Sequence, residues 1–430
     1  MTEWLPITLL VFCVCWDWIS TIVDGFWCWT VFQKEFFVKI LLIHNAYKIF
    51  GGEDSVLAEE EKLITNGGYR VAKWEVSNHE VSSIWDKVKA FLFTPFSFYY
   101  FFKCLKVLKN EMPDVVHVHN YFPLLSPSIF YACKVFGVPV VHTLHNYRAV
   151  CPSALLMHAG KINENSINHG VWWSIRKKVY RKSYVGTFAL AMMVALHKSI
   201  RTWNLKVDRF IALTEFSRKK FIEAGWPESK ICIKPNFISD PITRDSASYP
   251  KGGYALFVGR LSAEKGVNTL LNAWLEIKFP LKIIGAGPLV TDVEQRAGDC
   301  VEYLGEKNKE EVISLMRGAD FIIMPSIWYE GFPMVLVEAL ACGTPALVSR
   351  LGSMEEIVCN GIVGLHFEPG NSVDLANKVQ WLLDNPEAAH AMGENARNEY
   401  LEKYTPERNI DILMSIYGQA IEAAAVRGKS

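Results

Sequence analysis

The sequence predicts an α/β protein built as two doubly wound domains facing each other across a cleft. Three observations predict it. Apolar runs of strand length alternate with helical stretches from Val38 onward, the series breaks at a polar stretch and begins again, and in each half a glycine-containing loop follows the first strand. Such alternation gives a mostly parallel sheet covered on both faces. Ligands of such sheets sit beyond the carboxyl ends of the strands.

The first series places strands at 38–43, 69–76, 114–118, 138–143 and 208–213, with helices at 53–66, 83–110, 124–136 and 171–204. Lys234-Pro235-Asn236-Phe237 and the polar stretch from Ser239 to Gly253 read as a linker. The second series has strands at 255–258, 281–284, 301–304, 321–324, 346–348 and 364–367, and helix from about 386 to 424. The expected division is an atypical extension over 1–37, a first domain over 38–235, a second over 236–405 and a terminal helix over 406–430.

At 430 residues the chain is long enough for two sizeable cores. Its 45 basic and 45 acidic residues balance, so overall electrostatics argue neither for nucleic acid nor for an acidic partner, and no nucleic-acid partner is expected. Ten cysteines without a Cys-x-x-Cys pair resemble neither a disulfide framework nor a zinc site and fit a reducing cytoplasm. Residues 1–37 hold five of the 14 tryptophans and three of the ten cysteines. Their apolar run is short and interrupted by Asp17 and Asp24, and they carry no basic n-region or small-residue cleavage site. A weak anchor, an interfacial segment and a start assigned upstream of Val38 are the three readings, the last being preferred.

The stretch from Met324 to Pro345 organises the rest. Phe321–Met324 is a strand that Pro325 closes, Pro333 suits the first position of a helix, and Gly343 with Pro345 ends it. Glu330 then lies in the loop and Glu338 in the helix, about 12 Å further on at 1.5 Å per residue. Free N–H groups near Gly331 and Phe332 favour a phosphate. A carboxylate at either end would hold hydroxyls on each side of a diphosphate, which is the outline of a nucleotide-sugar. The plainer reading is solvated helix charge.

Other constellations sit at strand ends. Gly51-Gly52 follows the first strand, where glycine permits close approach of a ligand or simply makes a tight turn. In Gly259-Arg260-Leu261-Ser262-Ala263-Glu264-Lys265-Gly266, two cations flank the equivalent loop of the second half, a disposition suited to a diphosphate. His145 ends the strand at 138–143 on the cleft side, placed to bond a sugar hydroxyl or move a proton. His117 and His119, with His142 and His145, suggest a metal. Against that, the pairs lie on separate strands and no carboxylate or Cys completes a ligand pattern, so the expectation is no metal. From Asn165 to Val207 there are eight Lys or Arg, no acidic residue, and Trp172, Trp173 and Tyr180 interleaved. Docking to anionic lipid headgroups and ordinary packing of an amphipathic helix fit this equally.

Taken together, Gly51-Gly52, Asp114 to Asn120, Thr143 to Arg148, Gly259-Arg260-Leu261 with Glu264-Lys265-Gly266, Ile284 to Pro288, and the Glu-x7-Glu stretch resemble family 4 of the retaining glycosyltransferases. That family has the GT-B fold of two Rossmann-like domains. The resemblance runs from Val38 to about Tyr417. It implies that Arg260 and Lys265 bind the donor diphosphate and stabilise its departing charge, that Glu330 lies beside the transferred sugar, and that Glu338 holds the ribose hydroxyls. It further implies that backbone N–H groups at Gly331, Phe332 and Met334 cradle sugar and phosphate oxygens, that His145 contacts the sugar from the opposite domain, that Gly52 leaves room for donor and acceptor, and that the terminal helix crosses back to the first domain.

No Asp-x-Asp pair occurs, which fits metal independence and no cofactor beyond the nucleotide-sugar donor. The loop Ala159–Asn163 after Cys151-Pro152 lacks the further cysteines of some relatives, which argues against a metal-stabilised acceptor loop. The expected function is transfer of a sugar to a hydroxyl of a growing, lipid-linked glycan in polysaccharide biosynthesis, by a cytoplasmic enzyme with peripheral contact to the inner membrane face through 165–207. A nucleotide-sugar 2-epimerase and a non-catalytic nucleotide-sugar-binding assembly protein are the rivals.

Overall fold

The computed structural model describes residues 38–46, 51–77, 93–242 and 251–427. The extension 1–37 and its three readings lie outside them.

The first sheet has six parallel strands in the order β2-β1-β3-β4-β7-β8. These are β1 (Lys39–Ala46), β2 (Arg70–Ser77), β3 (Val115–Val118), β4 (Val140–Thr143), β7 (Arg209–Ala212) and β8 (Ile231–Ile233). A small hairpin, β5 (Met157–His158) with β6 (Lys161–Ile162), lies between β4 and β7 in the chain. The second sheet, also parallel, runs β11-β10-β9-β12-β13-β14. Its strands are β9 (Ala255–Val258), β10 (Leu281–Ile284), β11 (Val301–Tyr303), β12 (Phe321–Met324), β13 (Ala346–Ser349) and β14 (Gly364–Phe367). Ile40, Leu41, Leu42 and Ile43 are buried without alternation, as strands covered on both faces require. Strand order reverses between β1 and β3 in one sheet and between β9 and β12 in the other, and each reversal opens a crevice at the strand carboxyl ends.

Local chemistry explains where the helices begin. Helix α1 (Gly52–Asn66) starts where the Asp54 carboxylate accepts from the Gly51 N–H at 2.8 Å, its other oxygen lying 2.8 Å from His44 at the end of β1. The Ser97 hydroxyl caps α2 (Phe98–Glu111) by accepting from Tyr100 N–H. That start corrects the expected 83–110, of which 83–92 lie outside the described residues. The expected long helix at 171–204 is broken: Lys178, Arg181, Lys182 and Arg201 all have positive φ, and only α3 (Tyr184–Ser199) is longer than five residues. The expected final helix is two, α5 (Pro386–Lys403) and α6 (Pro406–Arg427), separated at Tyr404-Thr405. Between β12 and β13 runs α4 (Met334–Ala341).

Helix α6 joins the halves. Its buried residues Asn409, Leu413, Ile416, Tyr417 and Ala420 form one face and pack on Ile40, Leu42, Val115, Val141 and Ile211 of the first sheet. The resemblance implied this return. Direct contacts reinforce it: Glu356, after β13, accepts from the N–H groups of Glu215 and Phe216 at 2.7 Å each, and Phe216 lies against Tyr329 with ring centroids 4.7 Å apart.

Candidate active site

At the second sheet's crevice, the loops leaving β9 and β12 meet through an ion pair. Lys265 Nζ donates to both oxygens of Glu330, at 2.8 and 3.0 Å. Glu330 is only 5% exposed although it sits in a loop. Burial of a carboxylate demands partners, and Ser326 Oγ at 2.6 Å and Trp328 Nε1 at 2.8 Å supply two more donors. The Ser353 hydroxyl donates to the Glu330 carbonyl at 2.7 Å, fixing the loop from below. Gly266 has φ +73° and approaches Pro325 so closely that a β-carbon would stand 1.8 Å from its carbonyl oxygen. Only glycine allows these two loops to touch.

The Arg260 side chain leaves the same crevice exposed to solvent, making no ion pair or hydrogen bond to a described residue. Glu338 on α4 is half-buried and likewise without such a partner. Burial raises its pKa, with Lys309 pulling the other way. Phe332 and Met334 pack against the second domain's core, and Phe332 also reaches the cluster formed by α6 and the first sheet. Pro333 gives α4 no side-chain cap, so the first N–H groups of the helix receive no acceptor from that position.

Facing them from the first domain are the ends of β1, β3 and β4. Gly52 is exposed, and a β-carbon there would meet nothing within 4 Å. Asn146 donates to Glu53 at 2.8 Å, linking the end of β4 to the start of α1. His145 is half-buried, and Gly331 of the opposite domain lies against its main-chain carbonyl. The His145 Nε2 is 3.1 Å from His119 Nδ1, with the rings stacked.

Behind His119 lies a buried polar cluster. Glu60 of α1 places Oε1 3.1 Å from His117 Nδ1 and 3.3 Å from His119 Nε2, while Lys234 Nζ meets Oε2 at 2.8 Å. Lys234 also donates to Asn409 at 3.0 Å. His117 lies 2.8 Å from the Tyr417 hydroxyl and 2.7 Å from Thr143 Oγ1. One ground for expecting no metal is therefore corrected: Glu60 does complete a set of two imidazoles and a carboxylate, its ligand atoms within 4.8 Å of one another. No sequence signal marks it, because it comes from the far side of a helix. Lys234 Nζ pairs with Oε2, while Glu60 Oε1 and His119 Nε2 meet no hydrogen-bond partner among the described residues.

Electrostatics follow from the enclosure. Burial pushes the Glu60 carboxyl up, but Lys234, His117 and His119 outweigh it and hold the group well below the usual carboxylate range. Burial lowers His119 to about 4 and His142 to about 4. It also lowers His117, and it drives His145 well below its ordinary value with help from His119. At neutral pH the cluster holds an ionised Glu60, paired with Lys234, among neutral imidazoles.

A hollow of about 860 Å³ lies elsewhere, lined by Lys251, Asp320, Cys342 and Arg397 near the amino end of β12. It contains none of the expected site residues. A much smaller hollow of about 20 Å³ borders His119, His145 and Arg148.

Comparison with known proteins agrees in both halves. The family model "Glycosyl transferases group 1" matches residues 239–399, and "Glycosyltransferase Family 4" matches 63–240. The chain is 31% identical over 266 residues to a phosphatidyl-myo-inositol mannosyltransferase of Mycobacterium leprae, covering 57% of this chain and 69% of that one. It is 28% identical over 285 residues to an uncharacterised glycosyltransferase of Methanocaldococcus jannaschii, covering 65% and 75%. Among solved structures, HepE of Anabaena in complex with UDP-glucose superposes with a TM-score of 0.61 at 16% identity over 88% of this chain and 99% of that one. The sucrose-phosphate synthase of Thermosynechococcus elongatus gives 0.65 at 18% identity over 90% and 100%. The shared architecture is GT-B.

Proposed function

The chain belongs to the group 1 (family 4) glycosyltransferases, and from that premise we propose that it moves a sugar, with retention at the anomeric carbon and without a metal, from a nucleotide donor to a hydroxyl of a growing, lipid-linked glycan. The observation that carries this reading is the Lys265–Glu330 pair bridging the crevice between β9 and β12, with Arg260 unpaired beside it.

Sugar transfer from a nucleotide builds positive charge at the anomeric carbon and negative charge on the leaving diphosphate. Fixed charges that need no rearrangement contribute most to such a step. Arg260, committed to no carboxylate, takes the phosphate charge as it develops. Lys265 is aimed by Glu330, so it meets the same charge from a fixed direction. Glu330 lies beside the transferred sugar, Glu338 holds the ribose hydroxyls, and N–H groups at Gly331, Phe332 and Met334 cradle sugar and phosphate oxygens. From the first domain, His145 meets the sugar and Gly52 leaves open space for it. Cations in place of a divalent ion support metal independence. The UDP-glucose complex of HepE and the mannosyltransferase named for a lipid acceptor support the donor and acceptor classes respectively.

Among the described residues, no helix is long and apolar enough to cross a membrane. Peripheral contact at an inner membrane face is supported by Trp172, Tyr184, Val185 and Phe188, all exposed, alongside exposed Lys177, Lys178, Arg181 and Lys182. The deciding experiment is a thermal-shift panel of nucleoside diphosphates and nucleotide sugars with and without EDTA. A rise in melting temperature with one base, unaffected by EDTA, is expected. A shift abolished by EDTA would overturn metal independence, and no shift with any nucleotide would overturn the donor assignment.

A further inference from the structure

The hydrogen-bond polarity of the buried cluster is fixed at one end. Lys234 donates to Glu60, and the carboxylate is ionised, so Glu60 can only accept. A bare imidazole nitrogen facing Oε1 would set lone pair against lone pair inside a low-dielectric pocket, where such a clash is most costly. His119 Nε2, 3.3 Å from Oε1, makes no well-aligned hydrogen bond to it. At that distance the field of the ionised carboxylate favours an N–H over a bare lone pair, so His119 carries its proton on Nε2. A neutral imidazole has one N–H, which leaves His119 Nδ1 as an acceptor. His145 Nε2, at 3.1 Å, must then be the donor. His117 follows the same rule: Nδ1–H faces Glu60 and Tyr417, and Nε2 accepts from Thr143.

We infer that Glu60, acting through His119, sets the tautomer of His145, so that its Nδ1 is presented bare, as an acceptor for a hydroxyl of the donor sugar or acceptor. This rests on the assignment of His145 to the sugar in the function above. Among the described residues, His145 Nδ1 meets no hydrogen-bond partner, whereas Nε2 is committed. Glu60 and His119 are positioning residues. The opposite tautomer would offer an N–H and could take no proton from a hydroxyl. A metal held by Glu60, His117 and His119 would reverse the logic, but it would raise a pocket already neutralised by Lys234 to a net double positive charge.

The test is long-range ¹⁵N–¹H correlation on full-length protein labelled at histidine. Nε2–H at His145 and at His119 is expected, and Nδ1–H at His145 would overturn the assignment. In Glu60→Gln the amide can donate to His119, so His145 should switch to Nδ1–H. Turnover should fall on the order of a hundredfold with donor KM little changed. Should that variant fail to fold for want of a partner to Lys234, His119 provides the second test. His119→Ala should lose turnover, and His119→Asn, which keeps an acceptor near the Nδ1 position, should restore much of it. Equal loss in both would overturn the positioning role. One equivalent of metal in the purified protein, with histidine signals that change on adding EDTA, would do so as well. The tautomer is read without turnover, so a protein with the expected tautomer but no sugar transfer counts against the proposed function alone.

Discussion

Gly331 of the second domain lies directly against the main-chain carbonyl of His145 in the first, where a β-carbon would stand 2.5 Å from the oxygen. Space is the reason for glycine at this position. The contact joins the loop that carries Glu330 to the strand end that carries His145, so it sets the separation of the two halves of the site. Gly331→Ala should force them apart by a fraction of an ångström. Overpacking of this kind costs about 1–3 kcal/mol, and misplacement near 1 Å about a hundredfold in rate. Turnover should drop by tenfold or more while the melting temperature falls only modestly. Unchanged turnover would show that this contact does not define the working geometry.

Glu330 and Lys265 are expected to fail differently. Glu330→Gln keeps partners for Ser326 and Trp328 but removes the charge that holds Lys265. Its turnover should fall on the order of 10²–10³-fold, with nucleoside diphosphate affinity changed much less, as read by steady-state kinetics beside a binding titration. A variant with wild-type turnover would remove Glu330 from the neighbourhood of the reacting sugar.

How these residues were visible in the sequence, and where visibility stopped, has a physical pattern. Arg260, Lys265, Glu330 and Glu338 stand at the ends of apolar runs bounded by Gly and Pro, and such local signals place strand ends well. The pairing of Lys265 with Glu330 spans 65 residues and has no local signal. Glu60 was invisible because nothing in an amphipathic helix distinguishes a buried Glu from a solvated one; its burial follows from Lys234, 174 residues away. The strand Ile231–Ile233 is too short to stand out and exists because β7 offers it a ladder. The basic stretch after Asn165 looked like one helix because periodicity does not register positive φ at Lys178, Arg181 and Lys182.

Arg260→Ala separates binding from folding. The side chain is exposed and pairs with no described residue, so its removal should leave the melting temperature of the free protein within a degree or so, roughly the ±0.5 kcal/mol typical of such surface changes. Nucleoside diphosphate affinity and transfer rate should fall together, because charge-assisted bonds to phosphate contribute to ground state and transition state alike. Calorimetric titration with the diphosphate checks this. Undiminished affinity would leave Lys265 as the sole phosphate cation.

Acid should destabilise the first domain in a defined window. His119 and His142 are both lowered by burial to about 4, from an ordinary value near 6.5. Between those values the unfolded chain binds protons that the folded chain refuses, so stability is fully present above about 6.5 and is lost as pH falls towards 4. The depressed Glu60 carboxyl acts in the same sense lower down, losing its contribution as pH falls through its folded value. Each histidine contributes of order a few kcal/mol across its window. His142 offers the cleaner test, since it lies outside the Glu60 cluster and donates from Nδ1 to the Val118 carbonyl at 2.8 Å. His142→Asn keeps a donor near that position but cannot titrate. Denaturant unfolding from pH 7 to pH 4.5 should therefore show a stability slope shallower by close to one proton in the variant. Parallel slopes would mean that His142 is already protonated in the folded protein.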